Sequence, residues 1–66
     1  MRIEILIKPI RISKNITLAQ LSRMTGISDT HINDVENNLK EPGISILVRI
    51  AHALKVNVTD LYKIHW

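Results

Sequence analysis

The chain has 66 residues, a net charge of +3 and no cysteine. A domain this short buries only about 60% of the surface its unfolded chain exposes, so it needs dense apolar packing or self-association. The absence of Cys excludes disulfides and thiolate metal sites, and His31, His52 and His65 are too scattered for a histidine metal site.

There is no Phe, one Tyr and one Trp, so the core is expected to be Ile, Leu and Val. No apolar run approaches the ~20 residues of a membrane span, and no signal-peptide pattern opens the chain. No membrane partner and a cytoplasmic location are therefore expected, with one domain over residues 1–66. The basic balance favours an anionic partner.

Along the chain, Ile3, Ile5 and Ile7 alternate with Arg2, Glu4, Leu6 and Lys8. Period-two spacing with β-branched residues predicts a strand over 2–8, ended by Pro9. Pro is tolerated at the start of a helix, so "PIRISKN" reads as a short first helix. Thr17 and Gln20 have the spacing of a capping box, Ile16 and Leu21 that of a hydrophobic staple, and Gly26 supplies a left-handed stop. A second helix over 18–25 follows from these three signals.

Ser28 is a good N-cap for a third helix over 29–36, with Ile32 and Val35 on one face and Asn37 or Asn38 as a left-handed cap. "NNLKEPG" reads as a loop. Leu47, Ile50, Ala51 and Leu54 then form a buried stripe on a fourth helix. Asn57 and Asp60 resemble a further cap, so "VNVTDLYKI" is expected to close the fold as a fifth helix.

Two short capped helices joined by a glycine turn, over 18–36, are the physical signature of a helix-turn-helix. The chain resembles the Cro/repressor family (phage repressor-like, xenobiotic-response-element type) at Ile16-Thr17, Leu21-Ser22, Gly26-Ile27-Ser28, Ile32, Val35-Glu36, Pro42, Leu47, Ile50-Ala51, Leu54, Val56 and Leu61. The likeness extends over about residues 10 to 64. It implies an all-α, compact five-helix phage repressor-like domain, here with an added N-terminal strand. It also implies a dimeric regulator of transcription that binds double-stranded DNA, and the leading reading is a repressor or autoregulator. No cofactor, metal or small-molecule ligand is evident in the residues.

In that family the third helix enters the major groove. The resemblance therefore places Ser28, Asp29, Thr30, His31, Asn33 and Asp34 toward base edges, and Ile27, Ile32 and Val35 in the core. Asn33 suits adenine, His31 suits guanine or phosphate, and the carboxylates of Asp29 and Asp34 suit cytosine N4. Asp29 equally suits the positive start of a helix dipole. Asp34 is alternatively a partner for Arg23 or Lys40, or a charge that repels mismatched DNA.

The family's glutamate falls at Glu36 and pairs there with an arginine of the first helix, here Arg11. Phosphate contacts are expected from Lys40 with Asn37 and Asn38, and from Lys14 with the capped helix start at Thr17 and Gln20. Leu18 stands where the family often carries a phosphate-side Gln.

The apolar leading strand is an open edge that invites pairing with a two-fold mate or with the C-terminal "KIHW". Ile3, Ile5, Ile7 and Trp66 are accordingly expected at a dimer interface. A competing reading is a protein-interaction module, antitoxin-like or anti-repressor, whose acidic third helix binds a basic partner. An enzyme is not expected, because the chain has no nucleophile–base arrangement and no phosphate loop.

Overall fold

Two helices are bounded by their own side chains, and the rest of the fold is arranged around them. The computed structural model describes residues 1–66. Its elements are β1 (Arg2–Ile5), α1 (Ile7–Ser13), α2 (Leu18–Thr25), α3 (Asp29–Glu36), α4 (Ile44–Leu54), one 3-10 turn (Val58–Leu61) and β2 (Tyr62–His65). At the start of α2 the Gln20 backbone N–H donates to Thr17 Oγ1 at 3.1 Å, and the Thr17 N–H donates to Gln20 Oε1 at 2.8 Å. At its end Gly26 adopts φ 73° and returns its N–H to the Ser22 carbonyl. Ser28 caps α3 by accepting from the His31 N–H at 3.1 Å.

The core is aliphatic. Ile7, Leu21, Ile27, Ile32, Val35, Ile50, Ala51, Leu54 and Leu61 are buried together, drawn from all four helices, the α2–α3 turn and the 3-10 turn. Leu47 and Val58 are half-buried and pack against this cluster.

Three expectations are corrected. The leading strand ends at Ile5 rather than at residue 8, because Leu6 donates its N–H to the Leu61 carbonyl at 2.8 Å and the chain then turns into α1. Helix α1 consequently begins at Ile7, two residues before Pro9. Proline is tolerated there because N–H groups of a first helical turn have no intrahelical partner to lose. Ile7, expected at a dimer interface, is 0% exposed and belongs to the core. It turns inward as a helical residue, not outward as a strand residue.

The fifth helix is also absent, leaving four. The cap at Asn57 forms, with the Asn57 N–H donating to Asp60 Oδ2 at 2.9 Å, but it nucleates one 3-10 turn only. Tyr62 then becomes extended (φ −149°) and the chain enters β2. Strand pairing there competes with helix continuation and wins, because β1 offers open backbone groups that only an extended segment can satisfy.

The strands are antiparallel, with Arg2 opposite His65, Ile3 opposite Ile64, Glu4 opposite Lys63 and Ile5 opposite Tyr62. Opposed residues share a face. One face therefore carries Arg2, Glu4, Lys63 and His65, and the other carries Ile3, Ile5, Tyr62 and Ile64. The leading strand thus pairs within the chain with Tyr62–His65, which includes three residues of "KIHW".

Candidate nucleic-acid interface

The turn between α2 and α3 is held by a tight set of hydrogen bonds. The Ser22 hydroxyl donates to the Ile27 carbonyl at 2.6 Å, and the Thr25 hydroxyl donates to the Leu21 carbonyl at 2.8 Å. The same Thr25 oxygen accepts the Ile27 N–H at 3.2 Å. From α4, Arg49 Nη2 donates to the Thr25 carbonyl at 2.6 Å. This last contact had no sequence signal, because nothing local marks an arginine 24 residues away as the partner of a helix end.

Helix α3 is anchored on its inner face by Ile32 and Val35, which are buried, and by Glu36. Glu36 accepts Arg11 Nε at 2.8 Å and Nη2 at 3.1 Å, a two-pronged pair in which the side chains are 8% (Arg11) and 1% (Glu36) exposed. Arg11 Nη1 also donates to the Ile16 carbonyl at 2.9 Å. One guanidinium thus joins α1, the α1–α2 loop and α3, and its planar fork suits this role better than a lysine would.

With the inner face fixed, Ser28, Asp29, Thr30 and Asn33 are exposed, and His31 and Asp34 are half-buried beside them. The residues expected to read bases therefore lie along one accessible surface of α3. Asp29 occupies the first turn, where the helix dipole favours a carboxylate. Asp34 Oδ2 lies 3.8 Å from Lys40 Nζ, with the side chains 23% and 57% exposed respectively. At that distance and exposure the pair is weak, but it places a cation beside the carboxylate without consuming it.

The expected phosphate set divides. Lys14 and Lys40 are exposed and extend from the loops that flank the helix-turn-helix. Thr17 and Gln20 are exposed but largely occupied by their reciprocal cap, which takes the Thr17 N–H away from any phosphate. Asn37 and Asn38 are corrected as backbone donors. Their N–H groups close α3, donating to the Asn33 carbonyl at 3.0 Å and the Val35 carbonyl at 3.1 Å. Asn38 is the left-handed residue of that ending, with φ 59°.

This geometry is matched in known proteins. The model of the helix-turn-helix family fits residues 7–61. The chain belongs to the Cro/repressor branch of the helix-turn-helix family.

Two uncharacterized helix-turn-helix-type transcriptional regulators of Mycobacterium tuberculosis are 33% identical over 52 residues, 79% of this chain. The chain spans only 37% of the length of these curated relatives. Among solved structures, a protein of Bacteroides fragilis described as DNA-binding superposes with a TM-score of 0.85 at 26% identity, over 94% of this chain and all of the other. The clp gene regulator ClgR of Corynebacterium glutamicum gives a TM-score of 0.79 at 27% identity, over 83% of this chain and 71% of the other. The P22 c2 repressor, solved with a synthetic operator, gives 0.73 at 29% identity, over 79% of each chain.

Proposed function

We propose that this helix-turn-helix chain is a sequence-specific repressor that binds double-stranded DNA as a homodimer and lays α3 in the major groove. The observation that carries the reading is the division of α3. Ile32, Val35 and Glu36 are consumed by the interior, while Thr30, Asn33 and their neighbours are left outward on a rigidly seated helix. The P22 c2 repressor, which shares the fold and was solved in complex with a synthetic operator, supports DNA as the partner. Thr30, His31 and Asn33 contact base edges, Asp29 and Asp34 meet cytosine N4, and Lys14 and Lys40 contact phosphates from either side. Ser28 keeps its cap and leaves its backbone near the phosphates.

The acidic α3 favours a second reading, a surface for a basic protein, since Asp29, Asp34 and Glu36 are its only charged residues. Burial of Glu36 with Arg11 reduces that surface to two carboxylates, one of them beside Lys40.

Selection of bound duplexes from a random pool, with affinity followed against salt, separates the two. The repressor reading expects an enriched palindrome with half-sites about one helical turn apart. It also expects log affinity to fall with log salt by about 0.9 per phosphate contacted. An unenriched pool, or affinity indifferent to salt, supports the protein partner instead.

A further inference from the structure

Asn37 holds a position at the outer end of α3 where a phosphate contact alongside Lys40 is expected from the sequence. Its side chain is engaged elsewhere. Asn37 Nδ2 lies 2.9 Å from the Asn33 backbone carbonyl and 3.2 Å from Asn33 Oδ1, one turn earlier on the same exposed face. A backbone carbonyl only accepts, so the Asn37 atom facing it is the amide nitrogen, and the Asn33 atom that the same nitrogen reaches must accept too. Both amides are thereby oriented. The two side-chain N–H groups of Asn37 are spent on Asn33, and the atom left to Asn37 is a carbonyl oxygen, which a phosphate repels.

We infer that Asn37 is a positioning residue for base selection: it holds Asn33 Oδ1 back along the helix, so that Asn33 presents its two amide N–H groups to the groove and selects guanine over adenine. This rests on the proposal that α3 reads DNA, and sharpens it. Guanine offers two acceptors in the major groove, N7 and O6, whereas adenine offers an acceptor and a donor. An Asn whose oxygen is free matches adenine with both ends of its amide. An Asn whose oxygen is held back matches the double acceptor. An exposed hydrogen bond of this kind biases an amide by about two- to fivefold.

The test is a random-duplex selection run side by side with the wild-type protein, Asn33→Ala, Asn37→Ala, Asn37→Gln and Asn37→Asp. Wild type is expected to prefer guanine to adenine about two- to fivefold at one base pair, and Asn33→Ala to lose the preference at that pair. Asn37→Ala shifts the same pair toward adenine with an unchanged salt slope, and Asn37→Gln, which keeps both donors, restores guanine. Asn37→Asp draws the Asn33 amide nitrogen toward its carboxylate and turns the Asn33 oxygen outward, which moves the pair away from guanine to a base that offers a donor, adenine N6 or cytosine N4, even if Asn37→Ala frays the helix.

The inference is overturned if wild type enriches a site but the Asn37 variants leave that base pair unchanged. It is equally overturned if Asn37→Ala weakens all sequences alike and lowers the salt slope by about one, the behaviour of a phosphate contact. A wild-type protein that enriches no site at all removes the DNA reading itself, and this inference with it.

Discussion

At the residue scale, one ion pair carries more of the fold than any other polar contact. Arg11 and Glu36 are both buried, and the guanidinium additionally satisfies the Ile16 carbonyl. Removing one partner of such a pair leaves a charge stranded in the interior, which costs about 3–5 kcal/mol. A single core in a chain below about 70–80 residues rarely supplies more than about 3–5 kcal/mol of stability, so a chain of this size has little to spare. Glu36→Ala is therefore expected to unfold most of the protein at room temperature, read as loss of helical circular dichroism. The double change Arg11→Met with Glu36→Leu removes both charges and keeps apolar volume, and is expected to recover a cooperative urea transition. A folded, cooperative Glu36→Ala protein would show that the pair is far more solvated than its 8% and 1% exposures imply.

At the scale of elements, the α2–α3 turn and the strand pair behave differently, and the contrast explains what the sequence made legible. Helices α2 and α3 begin and end where Thr17, Gln20, Gly26 and Ser28 say they should, because a cap acts on backbone groups within three or four residues. Gly26 has φ 73°, and a Cβ built there lies 3.2 Å from Arg49 Nη2, the group that holds the Thr25 carbonyl. Gly26→Ala should thus cost about 1–2 kcal/mol, seen as a Tm lowered by about 4–16 °C in a domain this small.

The strand pair was legible only in outline. Alternation in 2–8 announces a strand but says nothing of where helical packing takes over, and Ile7 was claimed by the core. The cap at Asn57 was equally sound, yet the decision between helix and strand after residue 61 lay with β1, a partner more than 50 residues away. The contacts of Asn37 carry no sequence signal for a different reason: an Asn at a helix end suits capping and phosphate binding alike, and the folded geometry decides between them.

The strand pair also carries a pH dependence. Glu4 Oε1 lies 2.8 Å from His65 Nε2. That hydrogen bond holds the Glu4 carboxyl below its ordinary value of 4.5, against the opposing effect of burial and with help from the charges of His65, Arg2 and Lys63. A carboxyl depressed in the folded state stabilises it above the unfolded value, and the contribution is lost as pH falls through the folded value. Glu4→Gln is expected to remove this component. Its urea midpoint should then fall less steeply than that of wild type once the pH drops below about 4.5, with the two curves parallel above.

At the scale of the whole molecule, the apolar surface left over by folding bears on the proposed dimer. Ile3 is 44% exposed, Ile5 is half-buried and Ile64 is exposed on the same sheet face, and Trp66, just past the end of β2, is 93% exposed. Next to that face, β1 and the loop before α4 enclose an open groove of about 910 Å³ in which Met1, Leu39 and Ile44 stand largely bare. A single solvent-facing Ile needs no explanation, but a contiguous set of this extent on so small a surface is a cost in water that a second copy would relieve. Ile7 is no longer part of that proposal, so Ile3, Ile5 and Trp66 carry it.

Sedimentation at micromolar concentration is expected to give a dimer for wild type. Ile3→Asp places a carboxylate on the shared face, and should yield monomer with unchanged helical circular dichroism, since Ile3 is not in the core cluster. On DNA the two halves then bind separately. Affinity for a single half-site should stay the same while affinity for the palindrome falls at least about 100-fold, because the effective concentration that a dimer supplies is gone. A wild-type protein that sediments as monomer yet still prefers a palindrome would place the dimer contact on the DNA-bound complex alone. One that binds half-site and palindrome equally well would end the case for a homodimer.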